Sequence, residues 1–126
     1  MEFKESRNIF LQIADWICEQ ILQRKYGPGD RLPSVRELAG EMEVNRNTVM
    51  RTYNILHEQQ ILDNKRGIGF FVAQEAAQKI HQRQKTEFLE QELPQLIHRV
   101  ELLGLTSEDL QPLIQLLKKN NHEKQS

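Results

Sequence analysis

Residues 34–72, SVRELAGEMEVNRNTVMRTYNILHEQQILDNKRGIGFFV, leave few choices of fold. Two short amphipathic patterns meet at a tight break, Glu43-Val44-Asn45. A basic hairpin punctuated by glycine, Lys65-Arg66-Gly67-Ile68-Gly69, follows at once. Helix, turn, helix, wing is the order of elements that presents one helix to the major groove of DNA.

The local signals agree with that order. Pro33-Ser34-Val35-Arg36-Glu37 predicts a helix start, with Ser34 capping free N–H groups and Glu37 completing a capping box. Val35, Leu38, Ala39 and Met42 form its buried stripe, and Val44 plugs the core from the turn. Asn45 caps the next helix. That helix runs to about Gln59, with Val49, Tyr53 and Leu56 inward and Arg46, Asn47, Met50 and Arg51 outward. Ile61-Leu62-Asp63 and Phe70-Phe71-Val72 predict two strands, with residues 64–69 as their loop. Upstream, Phe10, Ile13, Ala14, Ile17 and Ile21 recur at helical spacing and predict a helix over residues 8–25. Gly27-Pro28-Gly29-Asp30 stops it, and Arg31-Leu32 leaves room for one sheet residue or a tight link.

From Glu75 the pattern is helical again. Leu89, Leu93, Leu96, Val100 and Leu103 make a heptad seam two repeats long. Pro94 should kink or break this helix near Glu90, and Gly104 ends it. Thr106-Ser107-Glu108-Asp109 predicts the start of a last helix, with Leu110, Leu113, Ile114 and Leu117 on one face, although Pro112 draws the start towards itself. Residues 120–126 should fray. The expected fold is therefore mainly α with a small β-hairpin: a winged helix-turn-helix over residues 8–74, then a short C-terminal helical dimerisation segment over residues 75–120. An apolar seam with nowhere to bury itself within one chain points to a homodimer through Leu89, Leu93, Leu96, Val100, Leu103, Leu113 and Leu117. Its competitor is an intramolecular core against the first helix.

Charge is balanced: residues 1–74 hold ten Lys/Arg and ten Asp/Glu, and residues 75–126 hold seven and eight. Affinity for a polyanion must then come from local clustering. The second helix and wing supply it with Arg46, Arg51, Lys65 and Arg66, against Glu58 and Asp63. The single cysteine, Cys18, excludes an internal disulfide, and like Trp16 it reads as a core or interface residue. With no bilayer-length apolar run and no signal-peptide core, a cytoplasmic location without membrane contact is expected. His57, His81, His98 and His122 do not cluster, and no Ser/His/Asp or Cys/His constellation has supporting context. Neither metal, cofactor nor catalysis is therefore expected. No helix follows Gly67-x-Gly69, which argues against a nucleotide loop.

The major groove distinguishes all four base pairs, and recognition helices reach bases with their first turn. Here that turn offers Arg46, which suits guanine, and Asn47, which suits adenine. Thr48 and Arg51 are placed for phosphate. Arg36 and Ser34 open the preceding helix, which crosses the backbone. In the wing, Lys65 and Arg66 supply charge, while Gly67 and Gly69 let the main chain approach a phosphate or the minor groove. Arg46 and Arg51 taken alone would be ordinary solvated helix charges; the surrounding pattern is what singles them out.

Gly29-Asp30-Arg31-Leu32-Pro33-Ser34-x-Arg36-Glu37-Leu38-Ala39 resembles the signature of GntR-type bacterial transcriptional regulators. Val44-Asn45-x-Asn47-Thr48-Val49-x-Arg51-x-Tyr53 and Gly67-x-Gly69-x-Phe71-Val72 extend the likeness across residues 8–73. The Asn-x-Asn-Thr-Val form and the brief C-terminal part are similar to the YtrA branch. The resemblance implies a winged helix-turn-helix dimer on double-stranded DNA with a palindromic operator, usually a repressor. It carries DNA contacts to Arg36, Arg46, Asn47, Thr48, Arg51 and Gly67. Three positions depart from the pattern: Met50 replaces a common basic residue, Phe70 replaces a wing Thr, and Glu43 replaces the turn glycine. If the position of Glu43 needs positive φ, the cost is about 1 kcal/mol. About fifty residues follow the wing, too few for a roomy enclosed effector pocket, and the residues name no effector. Two other readings stand beside the regulator: a winged-helix protein-interaction module, and a repressor gated by a small ligand at the dimer cleft.

Overall fold

Helix α1 (Ile9–Leu22) buries Ile13, Ala14, Ile17, Cys18 and Ile21, the face that helical spacing predicts. The structure, a computed structural model, describes Phe3 and residues 8–125. The chain divides into two units, Met1–Lys85 and Thr86–Ser126.

In the first unit, α1 packs on α3 (Arg46–Glu58), which also receives α2 (Val35–Met42). Strands β1 (Leu62–Lys65) and β2 (Gly69–Val72) form an antiparallel pair, with Leu62 opposite Val72 and Lys65 opposite Gly69. Leu62, Phe70 and Val72 face the common core, which closes over Leu38, Val49, Tyr53, Leu56 and Ile61. The start of α4 (Ala76–Glu87) joins this core through Ala76 and Ile80. Lys79 Nζ donates to Gln60 Oε1 at 3.0 Å and Arg83 Nη1 to Gln59 Oε1 at 2.7 Å, fastening α4 to the end of α3.

Two buried polar groups brace the core. The Tyr53 hydroxyl donates to the Pro33 carbonyl at 2.6 Å, and its ring lies 5.0 Å from that of Phe70. Burial raises its pKa well above the ordinary phenol value, so it remains a donor. Thr52 is fully buried, and its hydroxyl reaches the carbonyls of Thr48 (2.9 Å) and Phe10 (3.0 Å), tying α3 to the first turn of α1. The outward–inward pattern of α3 hides this role, because Thr is mostly found exposed. Cys18 is 4 % exposed, and burial pushes its thiol up to about 11.

Several boundaries differ from the sequence expectations. Helix α1 ends at Leu22 and not near residue 25, because Arg24 takes left-handed geometry (φ 63°) and Lys25 N–H returns to the Gln20 carbonyl. The chain is out of the helix before the Gly-Pro stop is reached. The hairpin loop is shorter than residues 64–69: pairing continues to Lys65 and Gly69, and Ile68 N–H closes the turn on the Lys65 carbonyl at 2.8 Å. Arg31 does serve as a single sheet residue, bridged to Phe71.

In the second unit, the break before Pro94 is a π-helical turn over Phe88–Glu92. Proline has no N–H and its ring crowds the carbonyl four residues back, so the spiral widens and Leu93 N–H bonds Phe88, five residues back. Helix α5 (Leu93–Leu103) follows, with Gly104 as its C-cap. Residues 106–109 do not start the last helix. Asp109 folds back to accept from Thr106 N–H at 2.9 Å, and α6 begins at Gln111, next to Pro112. Far from fraying at residue 120, α6 is continuous to Gln125; Ser126 lies outside the described residues. Leu96, Ile97, Leu102, Leu103, Leu113, Leu116 and Leu117 are all exposed, so this unit buries little of its own apolar surface.

The turn between α2 and α3 carries Glu43 at φ 56°, ψ 46°. A side chain in this left-handed region costs about 1–2 kcal/mol. Glu43→Gly is expected to raise stability by about 0.5–1 kcal/mol once the greater freedom of unfolded glycine is subtracted. That appears as a rise of a few degrees in Tm by calorimetry. An unchanged or lower Tm would mean that the turn is unstrained.

Candidate nucleic-acid interface

The face is built on two helix starts. Ser34 caps α2: its Oγ accepts from Glu37 N–H at 3.0 Å while Glu37 Oε1 accepts from Ser34 N–H at 3.4 Å. The predicted capping box therefore occupies the Ser34 amide, and its hydroxyl hydrogen is what is left to offer a phosphate. Arg36 is exposed in the first turn of α2. Val44 packs against the core and fixes the angle at which the chain enters α3.

Asn45 caps α3 by accepting Asn47 N–H on Oδ1 at 2.8 Å. That cap leaves the side chains of Arg46 and Asn47 exposed on the first turn, with Thr48 half-buried behind them. One turn on, the Arg51 guanidinium lies 3.9 Å from the centroid of the Phe10 ring, a cation–π contact. Phe10 reads as a core residue by its spacing, whereas here it is half-buried and supports an arginine. Met50 is 41 % exposed on the same helix, so it offers groove surface without charge.

The wing adds two more cations. Lys65 Nζ sits 4.2 Å from the Phe71 ring centroid, and Arg66 is exposed at the turn. Gly67 has φ 79° with open space where a Cβ would stand, so only backbone geometry demands glycine there. Gly69 differs. At φ 146°, a Cβ on it would stand 3.1 Å from Arg31 Nε. The space it leaves is taken by a side chain from a different strand segment. Sequence reasoning did not place Arg31 in the site, since a one-residue strand leaves no periodicity to read.

The first unit thus carries Ser34, Arg36, Arg46, Asn47, Thr48 and Arg51 on or at the start of two capped helices, and Lys65, Arg66, Gly67 and Gly69 on the hairpin. Among the described residues no cluster of three or more His, Cys, Asp or Glu is placed to hold a metal ion. No described helix is long and apolar enough to cross a membrane. Such a surface can donate to base edges from the start of α3 and to phosphates around it.

Comparison with known proteins agrees with this geometry. Residues 10–72 match the family described as bacterial regulatory proteins, gntR family. Two relatives come from Bacillus subtilis (strain 168). The HTH-type transcriptional regulator YhcF is 38 % identical over 109 residues, 86 % of this chain and 88 % of its own length. The HTH-type transcriptional repressor YtrA is 36 % identical over 107 residues, 85 % of this chain and 82 % of its own. Among solved structures, a GntR-family transcriptional regulator from Bacteroides thetaiotaomicron superposes with a TM-score of 0.75 at 40 % identity, covering 90 % of this chain and 99 % of that one. The chain belongs to the GntR family of bacterial regulatory proteins, as a YtrA-like DNA-binding transcriptional regulator.

Proposed function

We propose that the chain is a repressor that binds a palindromic operator as a homodimer, and that it is a binding protein without enzymatic activity. The winged helix-turn-helix of residues 8–74 reads DNA, and residues 75–120 hold the two copies together. The observation that carries this is the first turn of α3: a capped helix start whose Arg46 and Asn47 are both exposed, in a unit that also exposes the cations Arg36, Lys65 and Arg66. Arg46 and Asn47 read bases. Ser34, Arg36, Thr48 and Arg51 hold the backbone on one side, and Lys65, Arg66, Gly67 and Gly69 on the other. The dimer closes through Leu89, Leu93, Leu96, Val100, Leu103, Leu113 and Leu117. The exposure of Leu89, Leu96, Leu103, Leu113 and Leu117 supports that role. Repression draws support from the relative named a transcriptional repressor, YtrA.

A mobility-shift titration on the DNA upstream of the chain's own gene tests the reading at physiological salt. A preference of at least about 1000-fold over a scrambled duplex is expected of a specific regulator. Equal affinity for both sequences would sink operator recognition. Absence of binding even to generic duplex at low salt would favour a protein-interaction module on the same fold.

A further inference from the structure

Arg31 occupies a single bridge position against Phe71, and Phe71 also lies opposite Asp63 in β1. Directly opposed residues on neighbouring strands project to the same side, so Arg31, Phe71 and Asp63 share one face of the wing. Two residues along, Lys65 and Gly69 oppose each other on that same face. The backbone holds Arg31 firmly: Leu32 N–H donates to the Phe70 carbonyl and Val72 N–H to the Asp30 carbonyl, both at 2.9 Å. Its side chain is exposed and lies over Gly69, with Nε 3.1 Å and Nη2 3.6 Å from where a Cβ would be. Among the described residues no carboxylate holds it. The same face thus presents Lys65, propped on the Phe71 ring, and Arg31, laid across the bare backbone of Gly69.

We propose that Arg31 and Lys65 form a two-cation clamp for a DNA backbone phosphate at the wing, with Arg31 reaching across the strand over the bare backbone of Gly69. A guanidinium gives phosphate a bidentate fork, and an ammonium beside it adds a point charge. Asp63 is the only acid among these face residues, and it lies two residues further from the wing tip than Lys65. This role presupposes the DNA-facing surface proposed above.

The test measures affinity of the full chain for sheared genomic duplex DNA across a salt series, for the wild type, Arg31→Ala and Arg31→Lys. Arg31→Ala is expected to lower affinity about 5-fold at low salt and to reduce the slope of log K against log salt by about 1, with Arg31→Lys restoring most of the slope. Because the side chain is exposed, the Tm of Arg31→Ala should stay near that of the wild type. An unchanged salt slope in Arg31→Ala overturns the clamp while leaving the DNA-facing surface standing. Failure of the wild type to bind duplex at low salt overturns both.

Discussion

Arg46→Ala is expected to lower affinity for the operator by about 1–3 kcal/mol, roughly 5–150-fold, while binding to generic duplex changes only a few-fold. The asymmetry follows from position. Arg46 is the first residue of α3, exposed and turned out by the Asn45 cap, where a guanidinium can meet guanine O6 and N7 together. A phosphate-bound cation behaves differently. Lys65→Ala should weaken specific and generic duplexes alike and reduce the salt slope by about 1. Competition titrations at three salt concentrations separate the two patterns. If Arg46→Ala and Lys65→Ala lose specific and generic binding in the same proportion, base reading does not reside at the start of α3.

A larger loss is expected from the second unit. Leu96 and Leu103 are 42 % and 61 % exposed, so placing Leu96→Glu and Leu103→Glu together costs the isolated chain little. In a dimer the same pair would put four carboxylates into an apolar interface with no partners, which association cannot repay. Sedimentation should then report a monomer for the double variant and a dimer for the wild type. Operator affinity should fall by about 100-fold or more, because the second half-site would have to recruit its copy from solution and not from a linked partner. The first unit is expected to keep its own Tm. A double variant that still sediments as a dimer would place the interface elsewhere.

The parts of this site that the sequence makes legible are those governed by neighbours in the chain. The Ser34–Glu37 capping box, the Asn45 cap and most of the buried stripes of α1, α2 and α3 depend on spacings of one to four residues and are present, with Phe10, Val35 and Met42 only half-buried. The breakage before Pro94 is legible for the same reason, although its resolution as a π-turn over Phe88–Glu92 is a matter of how the freed carbonyls re-pair. What escapes is set by packing between distant segments. Phe10 meets Arg51 only because α1 crosses α3, and Arg31 meets Gly69 only because one residue of a connecting loop joins the edge of β2. Left-handed Arg24 has no compositional signature either, since glycine is the usual occupant of such a position. The exposed first turn of α3 with Arg46 and Asn47 is thus legible in the sequence, whereas the contacts of Phe10 with Arg51 and of Arg31 with Gly69 are not.

The burial of Cys18 has a practical consequence. A thiol that is 4 % exposed and titrates near 11 is almost wholly protonated at neutral pH, and no second cysteine exists for it to pair with in the chain. Sulfhydryl reagents and mild oxidants therefore reach it when α1 comes away from the core, and hardly otherwise. The residue amounts to a built-in clock for opening of the reading head: its alkylation rate, with and without DNA, counts how often α1 lifts. Any cysteine introduced at the surface for a spectroscopic label would react long before it, leaving the natural thiol silent.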